Sequence, residues 1–449
     1  MPKPKRRRTR RPAGSPRTWT EAHVRRVFWR AGFGATAKEA RTWSRRGKAA
    51  TLDWLVADRP ALYRGPAGTA DGLALDPLNE FGHDKLWWLD RMVRTSHPLQ
   101  EKMTLFWHDH FATRSQPTPL MLAQNETQRR LALGAFPSLL RAMAIDAALA
   151  RFLSLTKSVK AAPNENFARE LMELFTLGTG YTEVDVREAS RALTGLRQAR
   201  ANGQTTGIVY DPTKHDDGVK TIFGATGSWG GEDVLRFCVQ HPAHGPFLTA
   251  KLWDFFVGTP LNPVVRDKLV GTYVSSGLQL RPLVRAILAR PELYANLTRP
   301  DMVKWPAVFI AGQLRTMGAS VEVPDWVPLM ASMGQTLFSP PSVAGWEWGP
   351  LWLSSNAMRA RFKAASVLTG DGGPASVASS DVRPRMRPDQ HMALALAAVG
   401  QPEITNPTHR ALRRLIASYG SSPRSRERAQ ELQRSLRHLL ISGPDNQLC

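Results

Sequence analysis

The segment from Pro163 to Gly178 constrains the fold more than any other stretch of the chain. Its residues, Pro-Asn-Glu-Asn-Phe-Ala-Arg-Glu-Leu-Met-Glu-Leu-Phe-Thr-Leu-Gly, read as one amphipathic helix with both ends marked. Asn164 can cap the first turn with its side-chain oxygen, and Glu165 suits the positive end of the helix dipole. Gly178 can take the left-handed conformation that ends a helix. At about 100° per residue, Phe167, Ala168, Leu171, Met172, Leu174 and Phe175 share one broad apolar arc. Glu165, Arg169 and Glu173 form an i, i+4, i+8 stripe opposite, with Asn166 and Glu170 beside it. That stripe is either a solvated face laced by Glu–Arg pairs or the wall of a half-buried site. In the second case, carboxylates around a guanidinium could hold a metal or divide into an acid and a base.

Helical spacing recurs along most of the chain. Thr20–Ala31, Lys38–Val56, Asp84–Thr95, Pro98–Phe111, 121–153 and Val184–Leu196 carry it, as do further stretches from Glu232 to 317 and Asn356–Thr369. Residues 197–228 differ: Gly203–Tyr210 and Val219–Phe223 suggest two strands joined by the turn-rich Pro212–Gly218. The expected fold is mainly α, a multi-helix globular bundle with a small β-hairpin inserted near 205–224. Four parts are expected: a disordered basic tail (1–17), a helical core domain (18–369), a linker (370–388), and basic C-terminal helices (389–449) packing on the core.

Charge and cysteine content exclude several classes. Of the net +22 charge, residues 1–17 contribute +8 and residues 408–438 contribute +6, so the remainder is only mildly basic. Arginine-rich ends of this kind bind polyanions through counterion release, without reading sequence. A nucleic-acid binder would need a basic face on the core as well. With only Cys238 and Cys449 present, a disulfide framework is excluded and a cysteine-built zinc site is not expected. No apolar run is long enough for a membrane span, and no apolar segment of a signal peptide follows the basic start, so a cytoplasmic location is the default expectation.

Three further segments carry residues capable of chemistry. Trp107-His108-Asp109-His110-Phe111 holds a His-x-His pair, which on a helix diverges by about 200°. His110 then falls on the apolar face with Met103, Phe106 and Trp107, whereas His108 falls with Glu101 and Thr104 on another, and the plainer reading is a hydrogen-bonded core His110 and a surface His108. His215, Asp216 and Asp217 sit in the expected hairpin loop, where turn chemistry is the plainer reading. His241-Pro242-Ala243-His244-Gly245 reads as a connector between helices. Neither a phosphate-binding loop nor a Gly-x-Ser-x-Gly elbow occurs.

Together, several strings resemble the bacterial Domain of Unknown Function 1800 family. They are Arg30–Thr36, Lys102–Thr113, the whole 163–178 segment, Tyr181-Thr182-Glu183 with Ala192–Gly195, His215-Asp216 through Lys220, Lys251-Leu252-Trp253, and Pro340–Trp346. The closing Leu439–Ser442 also fits. The resemblance implies a mostly helical protein without an assigned activity. Its relatives are often exported, and often encoded beside a family resembling alkaline phosphatases and sulfatases, a partner this chain could share. Ser154 and Ser158 stand where relatives are expected to carry Asp or Asn and then Asn, and His244 and Gly245 are also unusual.

The family pattern favours an enzyme with a polar cleft. In that reading Glu170, Glu173 and His215 are catalytic, Asn164, Glu165, Asn166, Arg169 and Lys220 bind, and His108 and His110 ligate a divalent metal. Metal-assisted hydrolysis of an anionic or polysaccharide-like substrate is its concrete form. It requires the acidic stripe to face inward, toward the histidines. The alternative is a non-catalytic scaffold or polyanion-binding protein, with a structural Glu–Arg–Glu network and the Trp-rich 346–352 loop as a contact surface.

Overall fold

Proline and glycine punctuation divides the chain into many short helices, none of which can bury its apolar face alone. A computed structural model describes residues 19–295 and 297–449; the basic tail expected over 1–17 lies outside them. The first group of helices is α1 (Glu21–Arg30), α2 (Ala37–Val56), α3 (His83–Arg94), α4 (Pro98–His110), α5 (Thr118–Leu131), α6 (Phe136–Ala144) and α7 (Ala147–Phe152). Next come α8 (Asn166–Glu170), α9 (Glu183–Ala192), α10 (Gly231–Gln240), α11 (His244–Phe256), α12 (Pro263–Ser275), α13 (Leu280–Leu288) and α14 (Pro306–Met317). The remainder are α15 (Trp326–Ser332), α16 (Ser355–Thr369), α17 (Pro388–Ala398), α18 (Asn406–Ser418), α19 (Arg426–Ser442) and α20 (Pro444–Gln447).

Three two-stranded antiparallel hairpins interrupt the helices: β1 (Thr69–Ala70) with β2 (Leu73–Ala74), β3 (Leu196–Ala201) with β4 (Gln204–Tyr210), and β5 (Lys220–Ile222) with β6 (Ala225–Gly227). The architecture is mainly α, as the periodicity implies. The strand pairing differs from expectation, because β4 and β5 do not pair with each other. Asn202 and Gly203 both have positive φ, 50° and 76°, which is the tight-turn geometry an Asn-Gly pair favours. That turn closes β4 back onto β3, with Leu196 opposite Tyr210, and Phe223-Gly224 does the same for β5 and β6.

The core is built around α4. Every residue of this helix except Gln100 is buried, and Pro306–Arg315 of α14 are buried as well. A helix enclosed on all sides has no solvated face, so its polar side chains need partners inside the protein. Glu101 accepts from Trp88 Nε1 at 2.6 Å and from Arg129 Nε and Nη2 at 2.8 and 2.7 Å. Burial pushes the Glu101 carboxyl upward, but the Arg129 charge and hydrogen bonds outweigh it and hold the group below its usual range. Arg30 of α1 reaches across the core to the carbonyls of Phe256, Val257 and Cys449.

Residues 370–387 form neither helix nor strand, yet Ala375, Val382 and Met386 are buried. Arg437 of α19 donates to the carbonyls of Ala375 and Ser376. In the Trp-rich loop Trp346 and Trp352 are buried and Trp348 packs on Trp305 and Phe255, while Glu347, Pro350 and Leu351 are exposed.

Removing one member of the Glu101–Arg129 pair strands a buried charge. Glu101→Met is expected to lower the unfolding free energy by about 3–5 kcal/mol, and Glu101→Met/Arg129→Met by clearly less. Urea unfolding of the two variants and the parent checks this.

Candidate functional site

The apolar arc of the 163–178 segment faces the core, so its acidic stripe faces out. Phe167, Ala168, Leu171, Met172 and Phe175 are buried, while Asn166 and Glu173 are exposed and Asn164, Glu165, Arg169 and Glu170 half-buried. The segment is not one uniform α-helix. It starts at Asn166, whose N–H donates to the Asn164 side-chain oxygen at 3.0 Å, and from Leu171 to Thr176 it widens into a π-helix. Leu177 N–H donates to Met172 O, five residues back, and Gly178 ends the segment at φ 73°. Such wide turns recur at functional sites.

On the outer face, Arg169 makes a two-pronged contact with Glu183, Nη1 to Oε1 and Nη2 to Oε2 at 2.8 Å each, and Nη2 also reaches Glu165 at 3.0 Å. Tyr181 O–H donates weakly to Glu173 at 3.4 Å. Glu170 has neither a hydrogen bond nor an ion pair among the described residues. Burial first, then the Glu173 charge, push its carboxyl above the usual range.

His215, Asp216 and Lys220 form a second cluster, against the C-terminal end of α9. His215 Nδ1–H donates to Thr194 O at 3.0 Å. Asp216 accepts from Arg191 Nε at 2.8 Å, and buried Lys220 donates to the carbonyls of Asp216 and Gly218. These bonds tie the 211–220 loop to α9.

His108 and His110 lie in a third place, the interior. His108 is buried, not exposed: it sits among Trp88, Phe338 and Trp346, and its Nε2 accepts from Phe338 N–H at 3.2 Å. His110 Nε2–H donates to Phe175 O at 3.0 Å. The expected convergence of these imidazoles with Glu170, Glu173 and His215 does not occur, because α4 turns its histidines into the core and the stripe points away from it. Among the described residues no group of three or more His, Cys, Asp or Glu is placed to hold a metal.

What the interior does assemble is a set of caps on the π-helix. The last carbonyls of a helix have no donor within it. Here Leu174 O accepts from Lys251 Nζ at 3.1 Å, Phe175 O from His110 and Thr176 O from His244 Nδ1–H at 3.1 Å. Since His244 Nδ1 carries the proton, its Nε2 accepts from Tyr273 O–H at 3.0 Å. The 241–245 stretch is therefore more than a connector. Next to His110, Asp109 accepts from Trp346 N–H at 2.8 Å and Trp348 Nε1–H at 3.0 Å. Only glycine fits at 345, where φ is 86° and a Cβ would lie 2.3 Å from Asp109 Oδ1. The Pro340–Trp346 string is thus strapped to the Lys102–Thr113 string. Sequence reasoning quotes the strings that contain Asp109, Lys251 and His244 but assigns none of the three a capping or strapping role; the signal available was a helix with charged and aromatic residues on every face.

These features define a class: a mainly α protein whose internal polar side chains cap and strap its own backbone. A family model described as a protein of unknown function, DUF1800, matches residues 26–448, and the chain belongs to that family. No curated protein and no solved structure matches it.

Burial holds His108 at about 3 and His244 at about 4, and holds His110 well below its ordinary value. An unfolded imidazole titrates near ~6.5, so between these values the unfolded chain binds protons that the folded one refuses. The stability they contribute is complete above about pH 6.5 and is lost as pH falls, by about 1.4 kcal/mol per pH unit for each imidazole. Asp109, pushed up to about 7 by burial, acts in the opposite sense between pH ~4 and 7. Asp146, pushed up to about 6 by burial, acts with Asp109, and three imidazoles outweigh two carboxyls. Urea unfolding is therefore expected to show a loss of stability from pH 7 to pH 5, and His244→Gln to flatten it by about 1.4 kcal/mol per pH unit.

Proposed function

We propose that this chain is a non-catalytic scaffold that holds an anionic partner through its basic C-terminal helices. One observation carries the reading. The side chains best suited to chemistry in the interior, Lys251, His110 and His244, are committed to the last carbonyls of the π-helix. His110 and His244 are buried and each spends its ring N–H on a main-chain carbonyl, so neither presents that proton to solvent or to an outer cleft. The charge of the 408–438 region supports the anionic partner, with Arg410, Arg414, Arg424 and Arg428 exposed.

A second reading, acid–base or metal-assisted hydrolysis on the outer face, is favoured by one observation. Glu170 is half-buried, unbonded and raised in proton affinity beside Glu173, which is the condition of a general acid. Arg169 would clamp an anion, Asn164, Glu165 and Asn166 would line the approach, and His215 with Lys220 would complete the site across α9. A divalent metal would have to be held by Glu170 and Glu173 with groups from the substrate.

A panel of chromogenic phosphate esters, sulfate esters and glycosides with Mg²⁺, Mn²⁺ or Zn²⁺ separates the two. The scaffold reading predicts hydrolysis no faster than metal and buffer alone. Metal-dependent turnover that Glu170→Gln abolishes at unchanged melting temperature would replace it with the second reading.

A further inference from the structure

A groove of about 780 Å³ runs between the β3–β4 hairpin, the 156–161 loop and the 213–214 turn. Five cations line it, Lys157, Lys160, Arg197, Arg200 and Lys214, and no acid does. Lys157, Lys160, Arg200 and Lys214 are exposed and Arg197 is half-buried. Several basic side chains on neighbouring elements are neutralised locally. Arg191 holds Asp216 and Glu188, Arg141 holds Glu232, and Arg236 holds Asp233. In the groove, by contrast, none of the five cations pairs with a carboxylate among the described residues. Asp211, whose field reaches Lys214 and Arg197, directs its Oδ1 to the N–H and hydroxyl of Thr213.

The walls are fixed. Lys160 N–H donates to Lys214 O at 2.8 Å, joining loop to turn. Arg197 Nη1 donates to Thr156 O at 3.0 Å, and Gln198 Nε2 to Thr156 Oγ1 at 3.3 Å. Bringing five like charges to one concavity is unfavourable unless an anion occupies it, and low-dielectric walls focus the field there.

We infer that this groove binds the phosphodiester backbone of double-stranded nucleic acid, independently of sequence. Its size exceeds a single phosphate, and its five cations offer a run of phosphates several points of contact. No aromatic ring lines it, so unpaired bases would find no stacking platform, whereas a duplex needs none. The groove supplies the basic face on the core that charge counting over the chain did not locate. It shares no residue with the outer Glu–Arg face, so the inference holds or fails apart from the question of catalysis.

The test uses the full chain and a fluorescently labelled, mixed-sequence 20-base-pair duplex, with binding followed by anisotropy across 50–300 mM salt. Lys157→Gln/Lys160→Gln/Lys214→Gln removes three charges whose side chains make no hydrogen bond among the described residues, and thermal melting confirms that it folds. The inference predicts a log–log salt slope smaller by about 2.7 and an affinity at 150 mM salt at least about tenfold weaker. Arg410→Gln/Arg414→Gln/Arg424→Gln, which removes equal charge from the C-terminal region, is expected to change both less. Unchanged slope and affinity in the groove variant would overturn the inference. So would displacement of the duplex by polyglutamate at equal charge concentration, or binding of heparin as tight as that of the duplex.

Discussion

The structure depends on enclosing a helix that is rich in polar side chains. With α4 buried from Pro98 to His110 apart from Gln100, Glu101, His108, Asp109 and His110 have no recourse to bulk water. Each must find a partner in another element. Glu101 finds α3 and α5, Asp109 the 345–348 loop, and His110 the π-helix. Unbonded, any of these groups would cost about 1–3 kcal/mol or more. Bonded, they fix which segment lies against which. Apolar packing supplies bulk stability, while the polar bonds specify how the surrounding segments are arranged.

The same logic accounts for the polar pattern that suggested an active site. Imidazoles, carboxylates and lysines from separated segments do converge, but on backbone atoms. Three of them receive the negative end of the π-helix, where a cation or an N–H donor is favoured electrostatically. The outer Glu165–Arg169–Glu183 network is ordinary surface chemistry, worth little to stability despite its good geometry. Glu170 is a carboxyl lifted above its normal range whose side chain is bonded to nothing among the described residues.

Most helices were legible because caps and prolines mark their ends. Thr182 and Asp185 form a capping box at α9, and Pro98 begins α4. The inward or outward sense of the 163–178 stripe was not legible. Helical periodicity gives the angle between residues but not which arc meets the core, and the π-turn shifts that angle partway along. The pairing of β4 with β3 could have been read from Asn202-Gly203, a tight-turn signal outweighed by the longer loop at 212–218. Ser154 shows the limits of residue type alone. Its φ of 57° explains why Asp or Asn would suit the position, since both tolerate the left-handed region better than serine, so a ligand role is not needed there. The capping role of His244 was not legible because its partners, Thr176 O and Tyr273, are distant in sequence.

The central claim is that His110 and His244 are neutral donors to main-chain carbonyls. Long-range ¹H–¹⁵N correlation spectra of the imidazoles test it most directly. At pH 6 the account predicts a neutral Nε2–H tautomer for His110 and a neutral Nδ1–H tautomer for His244. Imidazolium signals from either ring, or the opposite tautomers, would contradict it.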